Sequence, residues 1–225
     1  MDVVLKLLFR KIIIKIIIFL FITNYIYAQE YDIVPYALIP YYFPNECFYG
    51  HNPANATATK VNQHYSSLLS ELQEPIIFKE YPNEVYRFTY SVSFVDKNPI
   101  TIRIEDTENK KVMTFKFIYK KNVYVSNQPL DIFSKTIVIK EKEWVILKNK
   151  IDSLNFWEIP SKKTNKDFIL SSYSALWILE GRKNNLYHMV HRTSYKDVTQ
   201  ENEIREICLF LLKLSKLKLN KRYFY

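Results

Sequence analysis

The stretch "WILEGRKNNLYHMVHR", Trp177 to Arg192, decides how the chain folds. Its first half alternates Trp177 and Leu179 with Ile178 and Glu180, and its second half alternates His188, Val190 and Arg192 with Tyr187, Met189 and His191. Both flanks have the period of two that strands require. Between them, "GRKNN" supplies Gly181 and Asn184-Asn185, residue types that tolerate positive φ in a turn. The expectation is an antiparallel hairpin with Ala175–Glu180 and Leu186–Arg192 as its arms. On a strand, positions three apart point to opposite faces, so His188 and His191 are not expected to share a metal. One residue of slip would exchange the faces, so sequence leaves open which histidine accompanies Glu180.

The same alternation recurs upstream. Tyr86, Phe88, Tyr90, Val92 and Phe94 alternate with Arg87, Thr89, Ser91 and Ser93, the pattern of a half-buried strand with one polar face. Ile100, Ile102 and Ile104 alternate with Thr101, Arg103 and Glu105, and Met113, Phe115, Phe117 and Tyr119 share a face after the turn "EDTENKK". These read as a meander, to which "NVYV" (122–125) and "KTIVI" (135–139) add short strands.

Helical periods separate and flank the strands. Val61, Tyr65, Leu68, Leu69 and Leu72 form one stripe within 57–73, with Pro75 just beyond the expected end. His64 stands beside that stripe as a boundary residue. In 141–155, Trp144, Leu147, Ile151 and Leu154 share a side, and Glu141 and Glu143 occupy the first turn, where the helix dipole favours them. In 201–217, Ile204, Ile207, Cys208, Leu211 and Leu214 face inward. The expected class is α+β, an antiparallel sheet with about three packed helices, in a single domain over 57–220.

Ahead of that domain, residues 29–56 read as an irregular Pro- and Tyr-rich segment. Pro35, Pro40, Pro44 and Pro53 interrupt helix and central strand alike. Tyr36, Tyr41, Tyr42, Phe43, Phe48 and Tyr49 could stack a sugar or pin the segment across the edge of the core; the pinned reading is preferred because buried aromatics dominate core energetics.

Residues 1–28 read as a signal peptide. Lys6, Arg10, Lys11 and Lys15 precede the apolar run Ile16–Ile22, and Ala28 offers a cleavage site before Gln29. The run falls short of the about 20 residues that span a bilayer. Export to the periplasm or the extracellular space is expected, with no integral membrane segment left after cleavage. Cleavage would remove four of the 32 basic and one of the 23 acidic residues, so the net charge falls from +9 to +6. The remaining lysines are interleaved with acids, as in Lys140–Glu143, which argues against a nucleic-acid partner.

Composition excludes several activities. With two glycines, Gly50 and Gly181, far apart, the chain lacks the glycine clusters of phosphate loops, dinucleotide-binding turns and nucleophile elbows. Abundant Lys, Asn, Ile and Tyr with scarce Gly points to an AT-rich bacterial gene. No cofactor or metal site is expected. Cys47 and Cys208 are the only cysteines, and export puts them where disulfides persist. They are either bridged, tying the N-terminal segment to the last helix, or two free thiols with Cys208 buried in its stripe.

Phe156-Trp157 with Pro160, then Trp177 with Leu179-Glu180-Gly181, then Tyr187-His188, Val190 and Arg192 carry a resemblance. In order and spacing they are similar to a group of exported bacterial proteins of unknown function, with Phe-Trp-x-x-Pro, Trp-x-Leu-Glu-Gly and Tyr-His-x-Val-x-Arg in the C-terminal half. The resemblance covers about a third of the chain and implies export and a shared core, but no reaction. Two departures stand out: Tyr173-Ser174 replaces the Asp-Gly common ahead of the tryptophan, and Thr193-Ser194-Tyr195 lacks the proline that often follows the arginine.

The leading functional expectation is a non-catalytic envelope or extracellular protein, a binding or accessory domain for an unknown protein or glycan. The alternatives are an uncharacterised hydrolase using Glu180, His188 and Arg192, and an immunity or inhibitor protein.

Overall fold

The fold is that of a computed structural model, which describes residues 40–44, 46–49, 56–92, 99–119, 131–161, 175–193 and 202–217. Contacts divide the chain into Met1–Leu38 and Ile39–Tyr225, and every described residue lies in the second unit. The expected signal peptide, the "NVYV" strand, His51 and Gly50 fall outside the described residues.

The elements run α1 (Glu46–Tyr49), α2 (Ala56–Glu71), β1 (Glu84–Val92), β2 (Ile100–Asp106), β3 (Lys111–Tyr119), β4 (Asp131–Val138), α3 (Glu141–Ser153), β5 (Ala175–Lys183), β6 (Leu186–Thr193) and α4 (Asn202–Ser215). Among the described residues six strands form one sheet in the order β4-β3-β2-β1-β5-β6, with every neighbouring pair antiparallel. The meander β1–β4 grows away from β1, and the β5–β6 hairpin then adds to the open side of β1. This is the α+β class, with helices on both faces of the sheet.

One face carries the larger core. Tyr86, Phe88, Tyr90, Ile102, Ile104, Met113, Phe115, Trp177, Leu179 and Val190 pack against Trp144, Leu147 and Ile151 of α3 and Ile204, Ile207, Cys208 and Leu211 of α4. On the other face, Leu176, Ile178 and Met189 meet Val61, Tyr65, Leu68 and Leu69 of α2, together with Tyr42, Phe43 and Phe48. Of the N-terminal aromatics Tyr42, Phe43 and Phe48 are buried in this layer and Tyr41 is half-buried, and the short helix Glu46–Tyr49 interrupts a segment expected to be irregular. The fully buried Asn62 donates to the Phe43 carbonyl, and Tyr42 N–H donates to Ser66 Oγ, which fixes this segment to α2.

Positive φ falls on Gln73, Asn155, Asn184 and Lys216. Gln73 and Asn155 close α2 and α3 in the same way. Glu74 N–H donates to the Leu69 carbonyl and Gln73 N–H to Ser70; Phe156 N–H donates to Ile151 and Asn155 N–H to Asp152. This paired termination normally places glycine at the left-handed position. Here side-chain residues take it and absorb a backbone cost of about 1 kcal/mol.

Gly181 has a different role from the one expected of it. The arms of the hairpin reach Lys183 and Leu186, so the turn is Asn184-Asn185, and Asn184 alone supplies the positive φ. Gly181 lies inside β5, opposite His188. A Cβ there would stand 2.7 Å from Phe156 Cε1 and 3.0 Å from Tyr86 Cε1. The glycine lets the Phe156 ring settle on the sheet.

Candidate functional site

The face of the sheet opposite α3 and α4 departs most from the sequence expectation. Its polar positions were expected on the open side of a half-buried strand. Instead Arg87, Thr89, Thr101, Arg103, Glu105, Thr114, Glu180 and Arg182 are all buried. Residues 72–83, which link α2 to β1, lie against Arg87, Arg103, Glu105 and Arg182 of this face. An uncovered row of charges would be ordinary surface; a covered one must find partners inside the fold.

Register puts those partners in reach. Glu180, Arg87 and Arg103 stand side by side on β5, β1 and β2. Arg87 donates from Nε to Glu180 Oε2 at 2.6 Å and from Nη2 to Glu180 Oε1 at 2.8 Å, the two-pronged geometry that a guanidinium matches to a carboxylate. Arg87 Nη1 donates to the Pro75 carbonyl at 2.7 Å, and Tyr187 Oη donates to Glu180 Oε1 at 2.9 Å. Adjacent arginines would repel each other, and Glu74 lies between them. Its Oε2 is 3.0 Å from Arg103 Nε and 3.8 Å from Arg87 Nη1, while Lys116 Nζ sits 3.2 Å from its Oε1. Arg103 also pairs with Glu105 and donates to Tyr81 Oη, which in turn donates to Glu105.

The network also fastens backbone. Gln73, Pro75 and Phe78 carbonyls accept from Lys116, Arg87 and Arg182 respectively. Cations on three strands thereby satisfy carbonyls of a segment that has no regular partner of its own.

Burial opposes the charge of Arg87, but the Glu180 carboxylate outweighs it and the guanidinium pKa is raised. Burial pushes the Glu180 carboxyl up, against the pull of Arg87 and Tyr187. The fork matches both carboxylate oxygens to two N–H donors of one guanidinium. Burial, with Glu180 beside it, raises the Tyr187 phenol well above its ordinary value, so it serves as a donor.

Glu180, His188 and Arg192 do not converge. His188 and Arg192 project on the α3/α4 face, and Glu180 projects on the other. His188 Nε2 lies 2.9 Å from the Ile159 carbonyl, and its ring packs edge-on against Phe156. Arg192 donates to the Pro160 and Ser161 carbonyls, each at 3.1 Å. Together with Phe156 over Gly181, these contacts bind residues 156–161 to the hairpin. Burial, reinforced by Arg192, depresses the His188 pKa, so at neutral pH the neutral ring donates from Nε2. The second histidine, His191, is on Glu180's face, buried against Phe48 and Tyr65.

The bridge between Cys47 and Cys208 does not form. Cys47 packs with the α2 layer, Cys208 is in the α3/α4 core, and both are free. The sheet stands between the two sulfurs. Burial, with Glu46 and Glu180 nearby, pushes the Cys47 thiol up to about 12, and burial raises Cys208 well above 9.0. Neither holds the thiolate that nucleophilic chemistry uses.

Among the described residues no cluster of three His, Cys, Asp or Glu is arranged to hold a metal ion, and no helix is long and apolar enough to cross a membrane. No family model matches the chain, and neither a curated protein nor a solved structure is significantly similar to it.

Sequence reasoning singled out Glu180 but missed Glu74, Arg87, Arg103 and Tyr187. The available signal was that Arg87, Arg103 and Glu180 all occupy polar-face positions of apolar strands. Nothing local announced that residues 72–83 would cover them.

Proposed function

We propose that the chain is exported and works as a non-catalytic interaction domain in the bacterial envelope or outside the cell, with a protein or glycan partner. The observation that carries this reading is the commitment of Glu180, His188 and Arg192 to partners inside the fold, on opposite faces of the sheet. A hydrolase built on those three would need carboxylate and imidazole to converge on one substrate atom. An immunity or inhibitor protein is one form that such an interaction domain can take.

Export rests on residues 1–28, with their basic start, short apolar run and Ala28. The resemblance of the C-terminal motifs to exported bacterial proteins is part of the same proposal. The residues that carry that likeness have a structural task here: Phe156, Pro160, Gly181, His188 and Arg192 together fasten residues 156–161 to the hairpin.

The test uses the producing cell. Protein recovered from its envelope or medium begins at Gln29, and cross-linking of intact cells with a membrane-impermeant reagent joins it to a defined partner. A cytoplasmic product starting at Met1 overturns export. Hydrolytic turnover that His188→Gln abolishes, while the fold is retained, overturns the non-catalytic reading.

A further inference from the structure

We infer that the outer edge of β4 is a self-association surface, on which a second copy of this chain extends the sheet through its own β4. This goes beyond the proposed function and depends neither on export nor on any other partner.

Three observations meet at this strand. First, β4 is the last strand of the sheet, and among the described residues no strand pairs with its outer side. Alternate N–H and C=O groups of an edge strand point outward and are ready to pair. Second, six of its eight residues are exposed, so neither face is covered as the inner strands are. Third, a row of stacked rings ends on it. Phe133 lies 4.8 Å from Phe117 and 6.1 Å from Phe115, centroid to centroid, yet remains 43% exposed. A large aromatic left open on an unpaired edge is what protein edges ordinarily avoid.

Symmetry and charge select the partner and the register. Two copies pairing antiparallel into one continuous sheet are related by a two-fold axis perpendicular to it, which requires each residue to face one of the same parity. Asp131, Phe133 and Lys135 share the α3/α4 side of β4, opposite Tyr119, Phe117 and Phe115. An axis through Phe133 puts the two Phe133 rings against each other and sets Asp131 of each copy opposite Lys135 of the other. Two ion pairs then flank an aromatic contact. An axis through Lys135 would oppose two ammonium groups, and one through Ser134 would leave Asp131 facing Ile137. Charge complementarity therefore favours a second copy of this chain in the Phe133 register. The described overlap covers Asp131 to Lys135, small against standard interfaces, so the dimer forms with rising concentration rather than as an obligate one.

Sedimentation equilibrium of the full chain, in the processed form its producing cell leaves, tests this between roughly 10 μM and 1 mM. The expected result is a monomer–dimer equilibrium. Asp131→Lys opposes lysines at both flanking pairs and weakens association about tenfold or more. The exchange Asp131→Lys with Lys135→Asp restores it. Both positions are exposed, so circular dichroism of the variants matches the parent. A monomer throughout this range, a dimer indifferent to Asp131→Lys, or one that the exchange fails to restore overturns the inference. Because no other molecule is present, a monomer would overturn the dimer without touching the proposed export or partner binding, which have their own test.

Discussion

Arg87 and Glu180 are locked in a two-pronged ion pair across β1 and β5, and neither side chain has any exposed surface. Charges so placed are costly to desolvate, and their value lies in each keeping the other paired. Glu180→Ala therefore leaves a buried guanidinium with Pro75 O, the Tyr42 ring and a distant Glu74 but no close carboxylate, and costs about 3–5 kcal/mol of unfolding free energy. The double change Arg87→Met with Glu180→Leu should cost less than the two single changes combined, by roughly 0.5–3 kcal/mol. Urea denaturation of the four proteins measures this coupling, and strict additivity would show that the pair is not a unit.

Gly181→Ala should destabilise, although alanine is ordinarily better than glycine in a strand interior. The added methyl enters the space of the Phe156 and Tyr86 rings, both fully buried. Overpacking of this kind costs about 1–3 kcal/mol. In a Phe156→Leu background the same change should cost less, because the obstructing ring edge is gone. Thermal unfolding of the single and double variants decides between packing and backbone as the reason for the glycine.

Thiol titration separates the two fates of the cysteines. Without reductant, the protein unfolded in denaturant should show two titratable thiols. In the native state at pH 8 neither should react quickly, since Cys208 is fully buried and burial holds Cys47 as a thiol. Absence of free thiol after unfolding would restore the bridge.

Acid should weaken the fold through two half-buried imidazoles. His188 and His64 are both depressed below 6.5 by burial. The unfolded chain thus takes up their protons first, so this contribution is intact above about pH 6.5 and is lost as pH falls through the lower folded values. His188→Gln keeps a donor for the Ile159 carbonyl and removes the titration. The stability difference between variant and parent, measured at pH 7 and pH 5, should shift toward the variant on acidification. A constant difference would mean that His188 does not titrate in this range.

Periodicity made the three long helices, five of the strands and the apolar stripe of each legible in the sequence, and β4 was expected over 135–139 against the observed Asp131–Val138. Val61 to Leu72, Trp144 to Leu154 and Ile204 to Leu214 each repeat at the helical spacing, and the strand alternations repeat at two. Burial of one side is a local property of such a segment, so it can be read without knowing what does the burying. In the 40–49 region the burial of Phe43 and Phe48 was legible from their aromatic character, whereas the helical turn Glu46–Tyr49 was not.

Tertiary structure alone decided the remainder. Whether the polar side of β1 and β2 meets water or a covering segment depends on the path of residues 72–83, and no property of Arg87 or Arg103 encodes that path. The role of Gly181 likewise depends on Phe156, which lies 25 residues away in sequence, and not on the turn beside it. Placing His188 and Glu180 on opposite faces required the β5–β6 register, and separating Cys47 from Cys208 required the sheet between them. Side-chain period is a short-range consequence of backbone geometry and survives in the one-dimensional sequence. Which charge meets which, and which ring sits on which glycine, are long-range contacts that exist only once the sheet has assembled.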